Sequence, residues 1–202
     1  MASVIQICNV ALSRLGNSRV IASLTEKSKE AAACSLFYED CRDAVLADFP
    51  WGFAMKRLAL AELDITQPDW QFSYRYPTDC MRLEEIYPPD GARYTTPEFR
   101  VPFETGAEED GAGRLILTNL PNAWIRYVSR ITDPNMYGPE FRDALSWRIA
   151  AEINMQITGD TNKGNEAAQK YQLSISAASA LSISEAQEPV APWSDVTNER
   201  LS

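Results

Sequence analysis

The 202-residue sequence contains no histidine. That absence removes Ser–His–Asp and Cys–His catalysis, imidazole metal ligands and a histidine pH switch. Cysteine is scarce and poorly spaced for chemistry. Cys8, Cys34, Cys41 and Cys80 form no Cys-x-x-Cys pair, so neither a zinc motif nor a redox dithiol is spelled out. They read as small core thiols of a reducing compartment, with Cys34 and Cys41 seven residues apart on one helical face. Positive charge is also short: 19 Lys and Arg against 28 Asp and Glu leave a net charge of −9. That is the wrong balance for a protein that grips DNA in a groove, but not for one past which DNA slides without sticking. No run of 18 apolar residues is present, so no membrane span is expected. Met1–Leu15 lacks the basic start and long apolar core of a signal peptide.

Nucleotide and nucleophile motifs are missing too. There is no Gly-x-x-x-x-Gly-Lys-Ser/Thr loop, no dinucleotide fingerprint and no Gly-x-Ser-x-Gly elbow. Gly106, Gly111 and Gly113 are wrongly spaced and sit among acids that would repel phosphate. No cofactor, no metal and no catalytic residue is therefore expected. A hydrolase built on paired carboxylates stays formally open, but nothing selects the pair.

What is present describes an ordinary globular chain, 45% hydrophobic and 23% charged. At this length roughly 70% of the unfolded surface can be buried, so one domain with a tail needs no disulfide or metal to fold. Val4, Ile7, Cys8, Ala11, Leu12 and Leu15 lie on one stripe and predict a helix over Val4–Leu15, capped by Ser3 and stopped by Gly16. A longer helix is predicted from about Glu26 to Asp48. Ser23 and Glu26 stand at capping-box spacing, Ala33, Leu36, Phe37, Cys41, Ala44 and Val45 form the stripe, and Pro50 ends it. Trp51 and Phe53 read as anchors pinning the reversal into the core.

From Arg57 to Arg130 the pattern changes to Pro, Gly, Tyr and alternation. Leu58, Leu60 and Leu63 fit a strand or a short helix equally. Phe72–Tyr76, Arg82–Tyr87, Phe99–Phe103, Arg114–Thr118 and Trp124–Arg130 read as strands of one small antiparallel sheet of four to six strands. Glu104–Gly113 reads as a solvated hairpin loop. Its acids Glu104, Glu108, Glu109 and Asp110 lack the alternation of a calcium loop; in an oligomer with a lumen the same loop would line the channel. Helix returns at Pro139. Phe141, Leu145, Ile149, Ile153 and Ile157 form one stripe and Ala144, Trp147, Ala151 and Met155 a second, which predicts burial on both sides before Gly159 ends the helix. A last helix over Lys163–Ser184 carries Ala168, Tyr171, Ile175 and Ala178 as its stripe. The small residues of its second half fit close helix approach and surface tolerance equally. After Glu185 two prolines and short composition predict an extended tail, which nonetheless carries Trp193. The tail either folds back on its own domain or docks in a partner.

The fold class is thus α+β: a bundle of about four helices (1–56 and 137–185), an inserted antiparallel β domain (57–136) and a tail (186–202). Asp48-Phe49-Pro50-Trp51-Gly52-Phe53, Tyr74-Arg75-Tyr76-Pro77-Thr78-Asp79-Cys80-Met81-Arg82, Trp124-Ile125-Arg126-Tyr127-Val128 and the Phe141–Ile157 helix occur in that order. In this order they resemble head-to-tail adaptor proteins of tailed bacteriophages, in particular the tail tubular protein A (gatekeeper) family of short-tailed phages. The likeness spans residues 3–185 in element order, through short motifs.

The resemblance implies a non-enzymatic virion protein of the tail or neck, assembled in the host cytoplasm. It implies a homo-oligomeric ring, usually of twelve copies, docked beneath the portal protein. Such a ring extends the channel for double-stranded DNA without sequence-specific binding and offers a platform to the tail tube or nozzle protein. Portal contact would fall on the last helix and on Pro189, Val190, Pro192 and Trp193; the β insertion would face outward or toward the next tail component. Two other readings stay open. One is a small enzyme or ligand-binding domain with a cleft lined by Trp51, Trp70, Tyr74 and Tyr76. The other is a tail-completion protein at another level of the tail.

Overall fold

A computed structural model describes residues 3–65, 67–89, 100–109, 111 and 113–185. The fold is mixed α+β, with four helices and two small antiparallel sheets. Helix α1 (Val4–Arg14) starts where the Ser3 hydroxyl accepts the Gln6 N–H and ends at Gly16, whose φ of +75° is the left-handed turn a glycine supplies. Helix α2 (Lys29–Asp48) begins three residues later than the capping-box spacing suggests. Ser28 caps it by accepting the Ala31 N–H, while Ser23 instead closes a local turn onto the Thr25 N–H. Glu26 still reaches back, but to the Ala22 N–H and the Ser28 hydroxyl, so it orders the approach to the helix rather than its first turn. Leu36, expected in the packing stripe, is exposed; Ala33, Cys41 and Val45 are buried as expected, joined by Cys34 and Tyr38.

Pro50 ends α2 and leaves its last-turn carbonyls without amide partners. Two side chains from outside the helix supply the missing donors. The Trp51 indole Nε1 donates to the Val45 carbonyl at 2.7 Å, and the Arg82 guanidinium donates to the Ala47 and Asp48 carbonyls at 3.3 and 3.1 Å. Trp51 then stands edge-on to Phe49 and Phe141, with ring centroids 5.0 and 5.1 Å away, and Phe53 meets Phe141 at 5.2 Å. The expected anchoring of the reversal is therefore observed, with an added capping function.

The chain then forms β1 (Met55–Ala59), β2 (Glu62–Leu63), β3 (Phe72–Arg75), β4 (Cys80–Tyr87), β5 (Phe103–Ala107), β6 (Arg114–Thr118) and β7 (Trp124–Ser129). They make two sheets rather than the one expected, ordered β1-β7-β4 and β2-β3-β6-β5. The reason lies in β7, which buries residues on both faces. Val128 joins the helical core, whereas Ile125 and Tyr127 join Tyr74, Tyr76, Ile86 and Ile116 in a second core shared by the two sheets. Glu104 is also reassigned: it lies within β5, paired in register with Leu117, and only the end of the expected loop remains a turn.

Helix α3 (Pro139–Ile157) is the centre of the helical body, packing against α1, α2 and the last helix, α4 (Thr161–Glu185). Its first stripe is buried as expected through Ile153. The second is not continuous: Met155 is exposed, because Asn154 rather than Met155 turns inward to bond the Asp160 carbonyl. On α4 Tyr171 and Ala178 are buried as expected, but Ala167 rather than Ala168 is buried at the start of the stripe. The chain reverses tightly at Gly159, and α4 crosses so near α3 that a Cβ at Gly164 would lie 2.7 Å from Asn154 Nδ2. That close approach selects glycine at 164.

Candidate functional site

The side chains with intrinsic chemistry are used up inside the two cores. All four cysteines are buried free thiols, Cys8, Cys34 and Cys41 between helices and Cys80 beneath the sheets. A hydrogen bond that Cys8 donates to Cys34, and then burial, push the Cys8 thiol up, and burial pushes Cys41 up to about 12. Burial also raises Cys80, against an opposing hydrogen bond with Tyr76. Cys8, Cys41 and Cys80 held this way are not ready nucleophiles near neutral pH, whereas the bond from Cys8 lowers buried Cys34. Among the described residues no group of three or more acidic or cysteine side chains converges as a metal site would require.

The four aromatics expected to line a cleft are divided. Trp51 belongs to the helical core, while Tyr74 and Tyr76 belong to the sheet core and are buried there. Trp70 lies at the sheet edge, its indole donating to Glu104 Oε2 at 3.1 Å. These residues do not share a cavity wall. The acids do not converge either. Glu104 accepts from Trp70, Glu108 faces Arg75 at 3.7 Å, and Glu109 is exposed; Asp110 lies outside the described residues. Pro189, Val190, Pro192 and Trp193 also lie outside them.

What the structure does present is a set of surfaces around the helical body. A groove of about 230 Å³ runs between α1 and the first turns of α3, with Val10 exposed on one bank and Arg142 on the other. Beside it the Arg14 guanidinium stacks 4.0 Å over Trp147 and pairs with Asp143, which ties α1 to α3. The outer face of α4 is open. Among the described side chains of α4 only Ala167, Tyr171 and Ala178 are buried, and Leu173 and Leu181 are exposed. Tyr171 fixes this helix to the rest, donating to Asp48 Oδ2 at 2.5 Å with Arg148 5.6 Å from its ring. Burial and then Asp48 push the Tyr171 phenol up, so it stays a donor throughout the neutral range.

Where α4 passes the Pro50 reversal, a cavity of about 210 Å³ opens between them. Phe49, Trp51, Phe53 and Phe141 form its aromatic walls, and Ala178 and Leu181 close it from α4. Sequence reasoning placed Trp51 and Phe53 in the core without finding this cavity. Gly52 between two aromatics and Leu181 off the packing stripe were the available signals.

The sheets are held to the helices by charge. Asp43 on α2 bridges Arg42 at 2.8 Å and Arg130 beyond β7 at 2.9 Å, and Arg82 of β4 caps α2. At the far side of β7, Asp79 receives Lys56 at 2.8 Å and the Tyr127 hydroxyl at 3.1 Å. Among known proteins, no family model and no curated sequence matches this chain.

Proposed function

We propose that this protein is a structural subunit of a tailed-phage head-to-tail connector. In this reading it docks as a ring under the portal protein, extends the DNA channel and receives the tail tube or nozzle. One observation carries the reading. A 25-residue helix, α4, lies on the helical body by a single narrow stripe, leaves Leu173 and Leu181 exposed, and leads directly into the Pro- and Trp-bearing segment 186–202. A long helix exposed along much of its length, continued by a segment that carries two prolines and Trp193, suits assembly by docking better than it suits small-molecule chemistry. The net charge of −9 is consistent with this, because a basic lumen would arrest duplex DNA by counterion release. The α2-to-sheet clamps suit a part that must transmit position rather than flex.

The test is mass by light scattering, for the protein alone and after mixing with the portal from the same genome. A ring-sized complex with portal is expected, lost on deletion of 188–202 or on Trp193→Ala while the circular dichroism spectrum is retained. A persistent monomer that ignores portal would refute the reading. A complex with a tail component and not with portal would move the protein to another level of the tail.

A further inference from the structure

We infer that Trp193 of the protein's own tail docks in the aromatic cavity between the Pro50 reversal and α4. The cavity has the right chemistry. Phe49, Trp51, Phe53 and Phe141 line it together with Glu140, and the Trp51 indole N–H is already committed to Val45, so the lining joins aromatic surface to a carboxylate that can accept an indole N–H. It also stands where the tail begins. Leu181, at the mouth and 49% exposed, is four residues before the end of α4 at Glu185, about 6 Å along the helix axis. Trp193 is eight residues further, a span of up to roughly 26 Å when extended, which is ample for the chain to turn back across one helical turn. Pro189 and Pro192 stiffen that stretch and reduce the entropy lost on docking.

Connection through so short a segment places the indole at an effective concentration on the order of millimolar. A weak contact is therefore enough to hold it, and a partner of ordinary affinity is enough to displace it. On the connector reading, and resting on it, the cavity keeps the portal-binding residue covered until the portal competes for it. The docking itself does not depend on that reading.

The experiment uses the full chain labelled with 5-fluorotryptophan. Its Trp193 fluorine signal is assigned by loss in Trp193→Phe and compared with that of a free peptide of residues 186–202. Docking predicts a signal displaced from the peptide's position and independent of protein concentration. Gly52 lines the cavity and nothing lies within 4 Å of where its Cβ would stand, so Gly52→Leu adds bulk at that wall and is expected to return the signal to the peptide's position. The signals of Trp70 and Trp124, remote in the β region, report that the fold is kept. Leu181→Gln, at an exposed position, is an independent second variant and should move the signal part of the way.

A Trp193 signal that coincides with the peptide's in the unmodified chain overturns the inference, as does a displaced signal that survives both variants. Concentration dependence overturns it in favour of a second copy as occupant. The portal complex is read separately by mass, so failure of self-docking leaves the connector reading standing.

Discussion

Removing the Trp51 ring tests the account of how α2 ends. The side chain is 4% exposed, touches Phe49 and Phe141 edge-on, and supplies the donor for the Val45 carbonyl. Burial of 150–250 Å² of aromatic surface is worth about 4–6 kcal/mol at ~25 cal/mol per Å². The hydrogen bond adds about 1 kcal/mol. Against this, the void left by the ring would join the neighbouring cavity and fill with water, so the usual empty-cavity penalty is reduced. The area figure is an upper bound, since the unfolded chain already covers part of that surface and alanine keeps a share of it, so Trp51→Ala is expected to cost about 3–5 kcal/mol. Trp51→Phe keeps the ring contacts but orphans a buried carbonyl, and should cost about 1–2 kcal/mol. Urea unfolding followed at 222 nm reads both, and the slope against denaturant should stay constant if the native state is otherwise unchanged. At a chain length near 200 residues the alanine variant should lose roughly 6–20 °C in Tm. A cost below about 1 kcal/mol for Trp51→Ala would refute the claim that this ring both caps the helix and anchors the reversal.

Three further outcomes follow from other contacts. Helix propensity alone would make Gly164→Ala stabilising by about 1 kcal/mol. The 2.7 Å approach to Asn154 Nδ2, an amide already bonded to the Asp160 carbonyl, predicts instead a net loss of about 1–2 kcal/mol, and Asn154→Ala in the same chain should abolish that loss in a double-mutant cycle. Asp43→Ala strips the carboxylate from Arg42, a residue only 7% exposed, and should cost about 2–4 kcal/mol in urea midpoint terms, whereas Arg130→Ala, at an exposed partner of the same Asp43, should cost less than about 1 kcal/mol. Tyr171 has its phenol raised in the folded protein, so above about pH 10 the unfolded chain sheds a proton that the folded chain keeps. Stability is then fully present below pH 10 and falls as pH rises, by no more than about 1.4 kcal/mol per pH unit for this group; Tyr171→Phe should flatten that decline in unfolding measured at pH 9, 10 and 11, and an unchanged slope would remove Tyr171 from the alkaline response.

The helical half was legible because local signals there agree with packing. Ser3 and Gly16 bracket α1, and the Phe141–Ile153 stripe is buried as its spacing predicts. Errors arose where a side chain had two possible uses. Ser23 and Ser28 both offer a cap with acids nearby, and only the turn at Thr25 decides between them. Ala167 and Ala168 are one helical step apart and equally small, so composition does not choose the one facing α3. In the β half Arg114–Thr118 was read to its ends and three other strands near theirs, but the strand expected over Phe99–Phe103 starts only at Phe103, the Leu58–Leu63 stretch was left between strand and helix, and the division into two sheets was not read. Alternation says which residues share a face; it does not say that both faces of β7 meet a core. The cavity escaped because it is walled by residues from three separate elements, whose meeting depends on the α4 crossing angle.

The way the two halves are joined also bears on what the molecule can do. Arg82 and Arg130 come from strands β4 and the end of β7, and both end on α2, within its last two turns. Arg82 meets backbone carbonyls that Pro50 has left open, so this contact substitutes for a bond the helix itself lacks. The covalent route from α2 to the sheets runs through the Trp51 and Phe53 anchors over the same few residues. These side-chain and covalent links from the sheets to the helices converge on the C-terminal end of α2. That end is also where Tyr171 of α4 is bonded, through Asp48. The sheets, α2 and α4 thus meet at one short segment, residues 43–53, beside the aromatic cavity. A group docked in that cavity and a partner at the β region would act on the same segment, which is the physical requirement for one to influence the other.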